Sequence, residues 1–138
     1  LRGTEVVEPG ALGLAFQKTA SASSVHAPAY APANAVDSDP ATYWSSTFAD
    51  PAWLAVDLGA VHKLQLIRLT WETAFSKSFS VQLSTDGQTW TDVYQTSDGK
   101  GGAIEIKLAP AEARHVRVSG TKRGTEWGHA IRELEVFE

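Results

Sequence analysis

The run F-S-V-Q-L-S-T-D-G-Q-T-W-T-D-V-Y, residues 79–94, decides the fold class. Phe79, Val81 and Leu83 alternate with Ser80, Gln82 and Ser84, the period-two signature of a half-buried strand. Thr85-Asp86-Gly87-Gln88 then reads as a hairpin turn, and Trp90 to Tyr94 as the returning strand. Working outward, Lys63 to Glu72 is a strand with Ile67, Leu69 and Trp71 on one face, and Trp53 to Leu58 is a shorter one closed by Gly59. On the other side, Ile104, Ile106 and Leu108 alternate with charge, Val116 and Val118 share a face, and Leu134 to Phe137 ends the series. No segment carries a helical apolar period. Short strands joined by Gly, Pro and Asp turns predict an all-β, antiparallel β-sandwich, with function on its end loops.

Leu14 to Ser24 is rich in small residues and suits an edge strand, and the prolines at 28 and 32 predict an extended loop from His26 to Ala35. Residues 1–13 have no periodicity and read as an interdomain linker or vector remnant, which leaves 14–138 as one domain. At 138 residues with 43% hydrophobic content, the chain can bury a core without staples, and it has no cysteine to supply any. A net charge of −4 with no basic block argues against nucleic acid and anionic membranes. No apolar run approaches the roughly 18 residues of a membrane span, and no signal peptide opens the chain.

Catalytic patterns are absent: no H-E-x-x-H, no Walker loop, no nucleophile elbow and no cysteine. We therefore expect a protein that is not an enzyme. The turn N-A-V-D-S-D-P-A-T-Y-W-S-S, residues 34–46, crowds hard oxygen donors around Asp37 and Asp39. Such a turn is either a solvated Asx-turn or a loop for Ca²⁺. An EF-hand does not fit, because its closing glutamate would fall on Phe48. Trp44, Trp53, Trp71 and Trp90 lie in strand context and are assigned to the core. Tyr30, Tyr43, Phe48 and Trp127 lie on loops, where flat faces could stack on a sugar ring. His26 and His129 lie beside them.

Taken together, the 34–46 turn, W-L-A-V-D-L-G, W-E-T-A-F-S-K-S-F-S-V-Q-L-S-T-D-G-Q-T-W, R-H-V-R-V-S-G-T-K-R and W-G-H-A-I-R-E-L-E-V-F resemble the discoidin, or coagulation factor type C, domains. More closely they resemble the family 32 carbohydrate-binding modules of bacterial glycan-degrading enzymes. The resemblance covers about Leu14 to Glu138. It implies a jelly-roll sandwich, a secreted setting within a larger enzyme, a monomeric module, one structural Ca²⁺ and a sugar site on the end loops. It places the ion on the Asn34 carbonyl, Asp37, Asp39 (by carbonyl or carboxylate), Thr42 and Glu133. It places the sugar against His26, Tyr43, Phe48 and Glu72, and the glycine-flanked loop before the last strand adds Trp127, with His129 and Arg123 as hydrogen-bonding groups beside it. Glycines beside Trp127 would let that loop approach the ligand. With Glu72 as the one acid among these positions, the expected ligand is a neutral polysaccharide, β-1,3-glucan or a related β-glucan. Chitosan, a galactose-type sugar and a protein-adhesion role are the alternatives.

Overall fold

The structure, a computed structural model, describes residues 12–138, so the linker assignment lies almost wholly outside the described residues. The domain proper is tied down from Leu14, whose N–H donates to the Val136 carbonyl at 2.7 Å.

Among the described residues the strands are Thr19–Ala22 (β1), Trp44–Ser45 (β2), Ala52–Trp71 (β3), Ser76–Ser84 (β4), Thr91–Thr96 (β5), Ala103–Arg123 (β6) and Ala130–Phe137 (β7). Every pairing is antiparallel. Two strands are far longer than the sequence suggests. The segments read as Trp53–Leu58 and Lys63–Glu72 are one strand, and so are those read around Ile106 and Val116. Each crosses from one layer of the sandwich to the other. Their mutual register breaks between Asp57 and His62, where Gly59 sits at φ 87°. A left-handed glycine beside a register shift bends a strand without ending it.

The halves of β3 and β6 therefore belong to different layers. The first layer runs β1–β3–β6–β4–β5, using Ala52–Asp57 of β3 against His115–Gly120 of β6. The second runs β2–β7–β3–β6, using the later half of β3 and the earlier half of β6. Leu54, Val56, Val81 and Val116 from the first layer meet Leu64, Ile67, Leu69 and Leu134 from the second, all of them buried. Each such side chain contributes about 1.5–3 kcal/mol by leaving water.

The region read as an extended loop holds two short 3₁₀ turns, Pro28–Tyr30 and Pro32–Val36. Each opens on proline, whose fixed φ suits a first helical position. Trp44 and Trp71 are core residues, but Trp53 and Trp90 are only half-buried, which corrects their assignment to the core. No described helix is long and apolar enough to cross a membrane.

Candidate functional site

At one end of the sandwich the loops enclose an open cleft of about 400 Å³. His26, Tyr43, Phe48, Glu72 and Trp127 line it together. Tyr30, Ser45 and Thr73 complete the lining with Ala74.

Glu72 follows the last residue of β3. Trp71 points into the core, so strand alternation turns Glu72 to the rim. Its Oε1 accepts the Ala74 N–H at 2.9 Å, and among the described residues no cation comes within ion-pair reach of it.

The opposite wall is a column of rings. Tyr43 stacks on Tyr30 (5.1 Å between centroids), Tyr30 on His26 (5.7 Å) and His26 on Phe48 (4.5 Å). Arg132 caps the column, its guanidinium 5.5 Å from the Tyr43 ring centre, while donating to the Pro40 carbonyl. Stacked rings spend their faces on one another, so this wall offers mainly edges and polar tips. Burial, then Tyr30 and Glu72, raises the Tyr43 phenol above its usual range and keeps it a neutral O–H. The exposed aromatics are Phe48 at the uncapped end of the column, 47% exposed, and Trp127 elsewhere in the lining, 45% exposed.

Two residues expected to touch ligand do not line the cleft. His129 is 1% exposed; its Nδ1 meets Ser76 Oγ at 2.6 Å and its Nε2 meets Asp50 Oδ1 at 2.8 Å. Burial lowers its pKa, against the raising effect of Asp50, so it is a neutral imidazole. Serine, histidine and aspartate in this order resemble a nucleophile relay, yet Ser76 has no exposed surface for a substrate to reach. The trio is a clamp. Arg123 likewise faces the protein, with Nη1 3.4 Å from the Glu126 and Trp127 carbonyls and Nε 3.3 Å from Asp50 Oδ1. Both residues hold the Trp127 loop from beneath.

The glycines of that loop serve packing and not ligand approach. A Cβ on Gly124 would lie 2.3 Å from the Phe75 ring, and one on Gly128 would lie 2.6 Å from the Ser46 carbonyl oxygen.

The acidic turn lies next to the ring column. Asp37 Oδ1 accepts the Asp39 N–H and its Oδ2 accepts the Thr42 hydroxyl at 2.6 Å. The Asn34 and Asp39 carbonyls lie 3.4 and 3.2 Å from the same hydroxyl. The Asp39 carboxylate turns aside to accept the Ala41 N–H, so it is the carbonyl that faces the cluster. Ser38 takes φ 60°, a conformation that glycine adopts more cheaply. Glu133 reaches in from β7 and accepts the Ser38 N–H at 3.1 Å. Burial, with Asp37 and Glu135 nearby, pushes its carboxyl up to about 8. Among the described residues no cluster of three His, Cys, Asp or Glu side chains has a metal-holding arrangement. The donors here are two carboxylates, two carbonyls and a hydroxyl, all hard oxygens on a short turn, a set that suits Ca²⁺.

Sequence reasoning missed Arg132 and the Ser76–His129–Asp50 clamp. Tyr30, legible in the sequence only as a loop aromatic, belongs to the cleft lining.

Known proteins share the fold. Residues 19–134 match the model of the F5/8 type C domain. Chitosan-binding module 1 of a chitosanase/glucanase from Paenibacillus sp. IK-5 superposes with a TM-score of 0.89 and 38% identity, covering 91% of this chain and 98% of that one. Module 2 of that enzyme, in complex with chitotriose, gives 0.89 and 35%, covering 91% and 99%. A polysaccharide lyase 8 family protein, HylA of Enterococcus faecalis, is 29% identical over 107 residues, which are 78% of this chain but span 8% of that protein. By sequence and by fold, the chain belongs to the F5/8 type C, or discoidin, domain family.

Proposed function

We propose that this domain is a non-catalytic carbohydrate-binding module that holds a β-linked glucosamine polysaccharide of the chitosan type in the loop cleft. The observation that carries this reading is Glu72, a carboxylate facing the cleft with no cation to neutralise it among the described residues. A protonated amine would pair with it by a charge-assisted hydrogen bond. The free faces of Phe48 and Trp127 would take the apolar C–H side of the sugar. The chitosan-binding modules at 35–38% identity support the same ligand class. Neutral β-1,3-glucan is the second reading, because Glu72 is the cleft's one carboxylate and could equally accept two hydroxyls.

Hydrolysis of a glycosidic bond needs two carboxyl groups placed across it, and the cleft lining holds one. The module would therefore tether a secreted glycan-degrading enzyme to its polymer and leave the chemistry to another domain. One shallow site should bind in the millimolar to micromolar range, about −4 to −8 kcal/mol.

We further propose that the Asp37 turn holds a structural Ca²⁺ through the Asn34 and Asp39 carbonyls, Asp37, Thr42 and Glu133. When bound, the ion would supply the positive charge that this acidic cluster lacks and fasten the turn to β7.

Affinity electrophoresis in gels containing chitosan or laminarin tests the ligand. Retardation greater in chitosan is the expected result. Retardation in laminarin alone would favour the neutral glucan, and free migration in both would overturn the saccharide reading of the cleft.

A further inference from the structure

A second concavity, of about 460 Å³, lies on the outer face of the first layer, on a different surface from the loop cleft. Leu54, Val56, Val116 and Val118 point to the core, so their strand neighbours must point out. Cross-strand pairing then sets Thr19, Asp57 and His115 in one row and Ser21, Ala55 and Arg117 in the next. Ala55 is small and leaves a dip between Trp53 and Asp57 on the same strand. The far wall is the hairpin after β4, whose Trp90 meets His115 edge-on at 6.3 Å and lies 4.1 Å beneath the Arg117 guanidinium.

The polar groups of this trough divide into committed and free. Asp57 is held by a two-pronged bond from Arg114 at 2.8 and 3.1 Å. Asp86 Oδ1 accepts from Ser84, Gln88 and Thr89. Arg117 donates through Nε to Gln82, while its terminal N–H groups have no protein acceptor among the described residues. Two half-buried indoles on an outward sheet face, ringed by mixed donors and acceptors, match a ligand with apolar ring faces and many hydroxyls. The volume is that of a small-ligand site, whereas a stable protein partner would need about 800 Å² of matched surface.

We propose that this trough is a second saccharide-binding surface, in which Trp53 carries a sugar ring against the wall formed by Trp90 under Arg117, while Arg117, His115 and Gln88 meet its hydroxyls. It takes only its ligand class from the reading of the cleft above. Two sites on one rigid domain make the second engagement intramolecular on a long polymer, so avidity rises there and not on short oligosaccharides.

The test is an NMR titration of the ¹⁵N-labelled domain with chitohexaose and with laminarihexaose, followed by retention on the corresponding polymers. Expected are shifts of the Trp53 and Trp90 indole N–H signals at a sugar concentration distinct from that moving the Trp127 signal. Trp90→Ala and Arg117→Ala should each weaken polymer retention about tenfold while the Trp127 titration stays as in wild type. Shifts confined to Trp127 and its neighbours would overturn the second site and leave the cleft standing. Shifts at Trp53 and Trp90 without any at Trp127 would keep the trough and overturn the cleft. No shift with either sugar would overturn both. The wild-type titration decides among these outcomes even where a variant fails to fold.

Discussion

The loop cleft and the Asp37 turn are neighbours built from the same materials, acids beside aromatic loops, yet they treat charge in opposite ways. In the cleft, Glu72 stands partly open, holding one backbone N–H and facing a wall of ring edges. In the turn, Asp37 spends both oxygens on protein donors, and Glu133 sits half-buried against it with its carboxyl raised to about 8. An open carboxylate keeps its solvation until a ligand replaces it. Crowded, desolvated carboxylates have lost it already and need a cation or protons. Residue type does not separate a recognition acid from a structural one here; access to water does.

The largest expected effect breaks the cleft from beneath. His129→Ala leaves the buried Ser76 hydroxyl without its ring partner, leaves Asp50 to Arg123 alone and opens a void, at a cost of about 3 kcal/mol or roughly 10 °C in melting temperature. Saccharide binding should fall with it as the Trp127 loop loosens. The acid side adds a signed test. His129 is held neutral below its ordinary range, so the unfolded chain takes up the proton first as pH falls through about 6.5. Stability tied to this residue is therefore complete above that pH and lost below it. Wild type should show a steeper loss between pH 7 and pH 5 than the alanine variant; equal slopes would mean that His129 protonates freely.

Calcium probes the other side of the comparison. At a hundred times its dissociation constant the ion should stabilise the fold by about 2.7 kcal/mol, and EDTA should reverse the gain. Asp37→Ala should abolish that shift, whereas Glu72→Ala should leave it whole. A full shift in Asp37→Ala would place the ion elsewhere. Glu72→Ala sharpens the contrast from the cleft: loss of a charged hydrogen bond worth about 1.5–3 kcal/mol should weaken sugar binding roughly ten- to a hundredfold. Its melting temperature should fall by only a few degrees, the cost of the lost Ala74 N–H bond, and its EDTA response should stay that of wild type. A Glu72→Ala variant that loses the calcium shift and still binds chitosan would invert the assignment of the two acids.

How far these two regions could be read from the chain differs for physical reasons. Alternation marks strands well, and Phe79, Val81 and Leu83, like Ile67, Leu69 and Trp71, face the core as their spacing requires. Continuity was not legible, because Gly59 looks like a strand end but serves as a bend within β3. The 3₁₀ turns at Pro28 and Pro32 are too short to carry a period. Trp53 was readable in principle: it lies out of phase with Leu54, Val56 and Leu58, so parity sends it outward. His26, Tyr43, Phe48, Glu72 and Trp127 converge because loops at one end of a sandwich must. His129 follows Trp127 by two residues, and nothing in that spacing tells that one points to water and the other to Ser76. The ring column is equally invisible, since stacking joins residues up to 22 positions apart in sequence through contacts that no local pattern encodes (His26 to Phe48).

Asn34 touches both regions and supplies the finest test of their separation. Its carbonyl lies 3.4 Å from the Thr42 hydroxyl, on the side of the proposed ion. Its amide Nδ2 donates instead to the Ala29 carbonyl at 2.8 Å and the Tyr43 carbonyl at 3.2 Å, pinning the turn that carries Tyr30 to the strand entry that carries Tyr43. Asn34→Ala deletes the amide and keeps the backbone carbonyl. Two partly exposed hydrogen bonds should cost about 1–2 kcal/mol of stability, a few degrees in melting temperature. The calcium-dependent shift should survive intact, because the donor to the ion is main chain. Sugar affinity should drop only about threefold, under 1 kcal/mol, as the spacing of the two tyrosine rings relaxes without loss of Glu72 or Trp127. Thermal melts with and without EDTA, set beside chitosan retention, read both quantities on one preparation. Were the calcium shift to vanish together with binding, the turn and the cleft would be one cooperative unit, and the division between a structural acid and a recognition acid would not hold.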